Sequence, residues 1–163
     1  MKKGRPIDLS GKDDKLKIVT QKNGSQEFSL YDYLDVKDGK RINSIKEWSL
    51  SLQKGHRARL DSKVDLLLNT KYGHESGINN LPPKLLTDTA DPNIKEIRVN
   101  CDVALRLFLC RGPFSMNREA TLLAGAFERD SRYVPSNILD ISDRRRSLLL
   151  EDQTRRTPHE RFG

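Results

Sequence analysis

Cysteine is scarce: Cys101 and Cys110 are the only two in 163 residues. Two thiols build no disulfide framework, and no CxxC pair or Cys–His cluster has zinc-ligand spacing along the chain. The three histidines, His56, His74 and His159, are widely separated. None has Cys, Asp or Glu at a useful spacing on one regular element, so the sequence predicts no metal site. A Gly-rich phosphate loop is missing too; "GRPIDLSGK" contains SGK without the Walker spacing or a strand before it. Ser–His–acid catalysis has no local signature. No apolar run approaches the ~20 residues that span a bilayer. The basic start, "MKKGRPIDLSGKDDK", has no apolar segment behind it and is not a secretory signal. Reduced thiols and no spanning segment predict a cytoplasmic protein that does not engage membranes.

Charge is abundant. Charged residues make up 33% of the chain and hydrophobic ones 35%, which predicts a modest core with mobile ends. Thirty Lys and Arg against 23 Asp and Glu give a net charge of +7. That balance favours an anionic partner: RNA, DNA or an acidic protein.

Residues 1–14 lack periodicity and read as a flexible basic tail. "KLKIVTQ" (15–21) alternates and predicts a first strand. "FSLYDYLDV" (28–36) places Phe28, Tyr31 and Leu34 at helical spacing and predicts a short helix. Ser44 and Glu47 form a capping-box pattern before Ile45, Trp48 and Leu52. Gly55 is expected to end that helix. A second, from His56 or Arg57, carries Leu60, Val64, Leu67 and Leu68 on one stripe. "KYGHESGINNLPP" (71–83) reads as a loop.

From Ile94 the period becomes two. "IKEIRVN", "VALRLFLC" and "EATLLAGAF" (119–127) predict three consecutive strands. A final helix should start after Pro135 with Ser136 as N-cap, carrying Ile138, Ile141, Leu148 and Leu149. Arg145 falls on its apolar side, where it can pair with an acid at the helix–sheet boundary. Residues 152–163 read as a flexible C-terminal tail. The order β-α-α-β-β-β-α over residues 15–151 predicts an α+β domain, with helices on one face of a small antiparallel sheet.

Arginines recur in the meander. Arg98 and Arg106 lie on the face opposite the apolar one, and Arg129 lies just past the last strand, with Arg132 and Tyr133 close behind. Guanidinium groups bind phosphate oxygens in bidentate fashion and keep their charge. The bland alternative is that each pairs with a nearby acid, such as Glu96 or Asp102. Tyr133 can stack on a base or donate a proton. Lys84 follows two prolines that stiffen its approach.

With "PPKLL", "IKEIRV", "ALRLFLC" and "TLLAGAFERDSRYVP" in this order, the chain resembles the RelE/ParE superfamily of bacterial toxins, most closely the HigB-like, phage-associated branch. The resemblance spans about residues 15–150. It implies a RelE-like fold and a type II toxin held by a cognate antitoxin. It further implies metal-independent cleavage of mRNA on the ribosome, by attack of a 2′-hydroxyl on the adjacent phosphate, with no cofactor. Carried onto this sequence, it makes Arg98, Arg129 and Tyr133 the catalytic candidates and Lys84, Arg106 and Arg132 the RNA-binding ones. The family's paired lysines after the phenylalanine are Arg129-Asp130 here, its histidine before "GF" is Ala124, and the tyrosine opening "YRI" is Leu105. Two alternatives stand beside this reading: a ParE-type toxin acting on DNA gyrase, and a non-catalytic binding module.

Overall fold

A computed structural model describes residues 21–23, 26–69 and 86–163. The expected tail 1–14, nearly all of the expected strand 15–21, the loop 71–83 and Lys84 lie outside the described residues. The chain is α+β. Strands β1 (Gln21–Asn23), β2 (Gln26–Tyr33), β3 (Asp35–Lys37) and β4 (Lys40–Ile42) come first. Helices α1 (Ser44–Leu50) and α2 (Lys54–Asn69) follow. Then come β5 (Thr87–Asp88), β6 (Lys95–Asn100), β7 (Ala104–Arg111), β8 (Glu119–Arg129) and β9 (Arg132–Val134). Helix α3 (Ile138–Glu151) and strand β10 (Arg156–Pro158) close the chain.

The main sheet runs β1-β2-β8-β7-β6-β5, with β10 on β2 and β9 on β8. Its centre is the expected meander: β6 and β7 pair antiparallel, as do β7 and β8. The sheet is mixed rather than antiparallel, because β2 runs parallel to β8, with Leu30 opposite Ala120. Parallel neighbours need a long crossover. Here it is everything from β3 to β7, including both early helices.

The segment expected as a short helix at 28–36 is mostly strand β2. The misreading has a physical cause. β2 is covered on both sides, so Phe28, Leu30, Asp32 and Tyr33 are all buried and clean alternation is lost. What remains, Phe28, Tyr31 and Leu34, mimics a helical stripe. The small hairpin β3–β4 was also not expected; Asp38 and Gly39 turn it with positive φ, 52° and 76°.

Helix boundaries shift in instructive ways. The N-cap of α1 is Asn43, whose side chain accepts from the Lys46 amide at 2.9 Å. Ser44 instead donates to Asp35 at 2.7 Å. Gly55 sits inside the first turn of α2, and the break falls at residues 51–53. α3 is capped by Asn137 rather than Ser136, without a side-chain bond.

Helices cover both faces of the sheet, contrary to the one-face expectation. On β2, Asp32 turns to Asn43 at the start of α1 (2.8 Å), while the next residue, Tyr33, lies under Arg145 of α3. Successive strand residues point to opposite faces, so α1 and α3 lie on opposite sides. Arg145 pairs with Asp35 at 2.9 Å and donates to the Leu123 carbonyl, meeting its expected role at the helix–sheet boundary. α1 approaches the sheet closely because position 125 is glycine. A methyl group there would overlap the indole ring of Trp48. Gly125→Ala is therefore expected to destabilise the fold by about 1–3 kcal/mol through overpacking. A chemical-denaturation midpoint equal to that of the wild type would contradict this close approach.

Residues 152–163 are no loose tail. β10 pairs with β2, His159 is buried, and Arg156 bonds Glu119 at 2.6 Å. The Asp61 carboxylate accepts the amides of Phe162 and Gly163 at 2.8 and 3.0 Å. The polar composition of this stretch concealed a network of buried ion pairs and hydrogen bonds.

Candidate functional site

The antiparallel register lines up one face of the meander. Glu96 lies opposite Phe108, and Arg98 opposite Arg106. Ala104 lies opposite Glu128, which itself faces Tyr133 on β9. Ala124 and Ala126, opposite Phe108 and Arg106, are buried.

Glu96 is the hub of this face. Its carboxylate is fully buried, yet each oxygen has a partner. Oε1 accepts from Arg98 Nε at 2.8 Å, and Oε2 accepts from the Tyr133 hydroxyl at 3.0 Å. Arg98 remains 45% exposed, so it is anchored at Nε with its far end toward solvent. The hydrogen bond that it donates to Glu96 raises its pKa further, which keeps it cationic. Tyr133 packs edge-on against Phe108 with ring centroids 5.2 Å apart. Burial, then the Glu96 charge, pushes its phenol up to about 12. It is thus a neutral proton donor across the physiological range.

Arg106 is held more completely. Nε donates to Glu128 at 2.8 Å, and Nη1 donates to Asn100 and to the Leu105 carbonyl at 2.9 and 2.8 Å. Its side chain is nearly buried, so it contributes fixed charge rather than a free grip. Both arginines therefore have the acidic neighbours that the bland reading expected. Only Arg98 combines a partner with substantial exposure.

Arg98, Arg106 and Tyr133 are brought together. Arg129 is not. Glu128 shares the face of Arg106, and Arg129, one residue on, points to the other side, where it lies 5.9 Å from the ring centroid of Phe127. Phe127 in turn meets Trp48 of α1. Arg132 pairs with Arg129 across the β8–β9 hairpin, and both are exposed at its end. The turn between them is made by Asp130 and Ser131, with φ of 50° and 63°. A two-residue hairpin turn with both φ values positive favours short polar residues. Asp130 therefore shapes the hairpin that carries Tyr133 back over the sheet.

Glu96 and Glu128 were not among the site candidates. The signal for Glu96 is in "IKEIRV": it stands two residues before Arg98 and hence on the same face of a strand. Beside this cluster, at the outer margin of β6, a groove of about 400 Å³ is lined by Arg59, Lys63, Arg98 and Asn100.

A second cluster joins segments far apart in sequence. His56 Nε2 lies 2.8 Å from Asp102, and Cys101 Sγ lies close by. The bond from His56 holds the exposed Asp102 carboxyl below its ordinary range. The members of this group meet only through the fold, so histidine spacing along the chain does not reveal it.

Over the described residues, the fold and this polar face define an α+β protein with a mixed sheet bearing a buried carboxylate that holds a guanidinium and a phenol. No family model, curated protein or solved structure matches the chain. Among the described residues, no helix is long and apolar enough to cross a membrane.

Proposed function

We propose that the chain is a metal-independent endoribonuclease, a toxin of the RelE/HigB type that cuts mRNA on the ribosome and is held by a cognate antitoxin. The observation that carries this reading is Glu96 holding Arg98 and Tyr133 at 2.8 and 3.0 Å on the polar face of the meander. Cleavage by a neighbouring 2′-hydroxyl requires a cation for the phosphorane, an acid for the leaving oxygen and a base for the attacking hydroxyl. Arg98 supplies the cation, and its free edge is suited to two phosphate oxygens. Tyr133 supplies the proton to the departing 5′-oxygen. Glu128, a quarter exposed on the same face, accepts the 2′-hydroxyl proton. Glu96 positions the first two groups and is too buried to touch substrate. Arg106 adds positive field behind them.

Three further features support the reading. Among the described residues, the helix pair, the meander β6–β8 and the closing helix come in the expected order. Its net charge is +7. The groove lined by Arg59, Lys63 and Arg98 continues the cationic surface away from Tyr133, where a single strand could run. Arg129 moves from the phosphate to the rim in this scheme, and Arg98 alone grips the scissile group.

The test is a translation reaction programmed with a defined mRNA, to which the protein is added after being stripped of metal with EDTA and dialysed. Cleavage is expected, leaving a 2′,3′-cyclic phosphate and a free 5′-hydroxyl, and induction of the protein in cells should arrest growth. Intact mRNA in the presence of active ribosomes would overturn the proposal. Inhibited DNA supercoiling under the same conditions would replace it with the gyrase-directed reading.

A further inference from the structure

Three side chains able to bind metal converge where α2 meets the β6–β7 hairpin. His56 stands in the first turn of α2, and Cys101 and Asp102 form the turn that follows β6. His56 Nε2, Cys101 Sγ and an Asp102 carboxylate oxygen all lie within 4.8 Å of one another. We propose that these three atoms bind a single zinc-class divalent ion, with the fourth position open to solvent.

The donor set selects the ion. A thiolate beside an imidazole favours zinc and its chemical neighbours, whereas magnesium and calcium require oxygen ligands. Metal–ligand bonds of about 2.0–2.3 Å put the donors of a tetrahedron roughly 3.5 Å apart. The cluster therefore needs a shift of only about 1 Å to close around an ion. The turn can supply it: Asp102 is 73% exposed, so its side chain is free to rotate and the ion can arrive from solvent. His56 is fixed by burial on the helix and provides the rigid corner.

Protons and charges balance. Without metal, the imidazole and the Asp102 carboxylate share a hydrogen bond at 2.8 Å, and Cys101 donates its S–H to the Val103 carbonyl at 3.3 Å. On binding, the thiol releases one proton to solvent, while the imidazole gives up the Nε2 proton it shared with Asp102, takes one at Nδ1 and binds through Nε2. One thiolate and one carboxylate then neutralise the divalent ion. The result is a staple between the start of α2 and the hairpin joining β6 to β7. This site does not depend on the ribonuclease reading, since none of its ligands belongs to the polar face around Glu96.

The experiment is titration of metal-free, full-length protein with Co(II), followed by absorbance. One equivalent should produce a thiolate-to-cobalt charge-transfer band together with the strong visible bands of tetrahedral coordination. Cys101→Ser should abolish the charge-transfer band. Cys110→Ser should retain it, because the Cys110 thiol is buried in the sheet and pushed up to about 12. Asp102→Asn, an exposed and structurally mild change, should weaken the apparent affinity about tenfold or more. Zinc should raise the melting temperature of the wild type but not of Cys101→Ser. A folded wild type with no charge-transfer band overturns the proposal, as does a band that survives Cys101→Ser or an affinity unmoved by Asp102→Asn.

Discussion

Asp32→Ala is expected to destabilise the protein on the order of 3 kcal/mol, the upper end of the range for leaving buried polar groups without their partner. Asp32 is the penultimate residue of β2 and is almost wholly buried. One carboxylate oxygen takes His159 Nδ1 at 2.8 Å, and the other accepts from Asn43 at 2.8 Å. His159 is itself buried, and its Nε2 has no protein partner. Removing the carboxylate would leave the imidazole without a polar contact on either nitrogen. The N-cap residue of α1 would lose its anchor at the same time. For a domain of this size the loss corresponds to a fall in melting temperature of roughly 6–12 °C. Hydrogen exchange adds a local readout. The amides of Leu34 and His159, bonded to the Arg155 and Leu30 carbonyls, should exchange faster in the variant. Unfolding within ~0.5 kcal/mol of the wild type, the scatter of ordinary surface substitutions, would show that this network does not hold the C-terminal segment.

The same residue explains where sequence reasoning stopped. Period-two alternation reveals strands that have one apolar face, and β6, β7 and β8 were legible for that reason. β2 was not, because a buried aspartate interrupts its apolar pattern, and that aspartate is tolerable only once His159 and Asn43 arrive from elsewhere. The C-terminal stretch was misread for the complementary reason: Arg156 and His159 look solvated until Glu119 and Asp32 are placed beside them. Long-range pairing of this kind leaves no local trace.

The candidate site was half legible. Arg98, Arg106 and Tyr133 share a face, and the first two follow from strand alternation. Arg129 fails by parity, since Glu128 rather than Arg129 falls on the face of Arg106. Predicting that would have required the β7–β8 register, which shifts between Phe108 and Leu109 and cannot be counted from the chain. Glu96 reads from sequence as an ordinary salt-bridge partner. Burial and its second bond, to Tyr133, turn it into the group that organises the face.

Tyr133→Phe should reduce RNA cleavage by about 10²–10⁴-fold, the range for loss of a general acid. The substitution removes one oxygen and keeps the ring on Phe108. It leaves Oε2 of the buried Glu96 without its donor, so a loss of about 1–3 kcal/mol accompanies it, and cleavage is compared where both proteins are folded. Arg98→Ala should cost about 10²–10³-fold if it stabilises the phosphorane charge. Glu96→Gln distinguishes positioning from chemistry. Glutamine is nearly the same shape but carries no charge, so the phenol of Tyr133 should ionise at lower pH than in the wild type. Phenolate absorbance, taken as the difference between each protein and its own Tyr133→Phe variant, measures this directly. The direction of the stability effect follows. Folded Tyr133 keeps its proton to about 12, against an ordinary 10.0. Its contribution to stability is therefore full below about pH 10 and is lost as pH rises toward 12. Glu96→Gln should shrink that alkaline window. If Tyr133→Phe cleaves RNA as fast as the wild type, the leaving oxygen takes its proton from elsewhere, and Glu96 organises a face that serves binding alone.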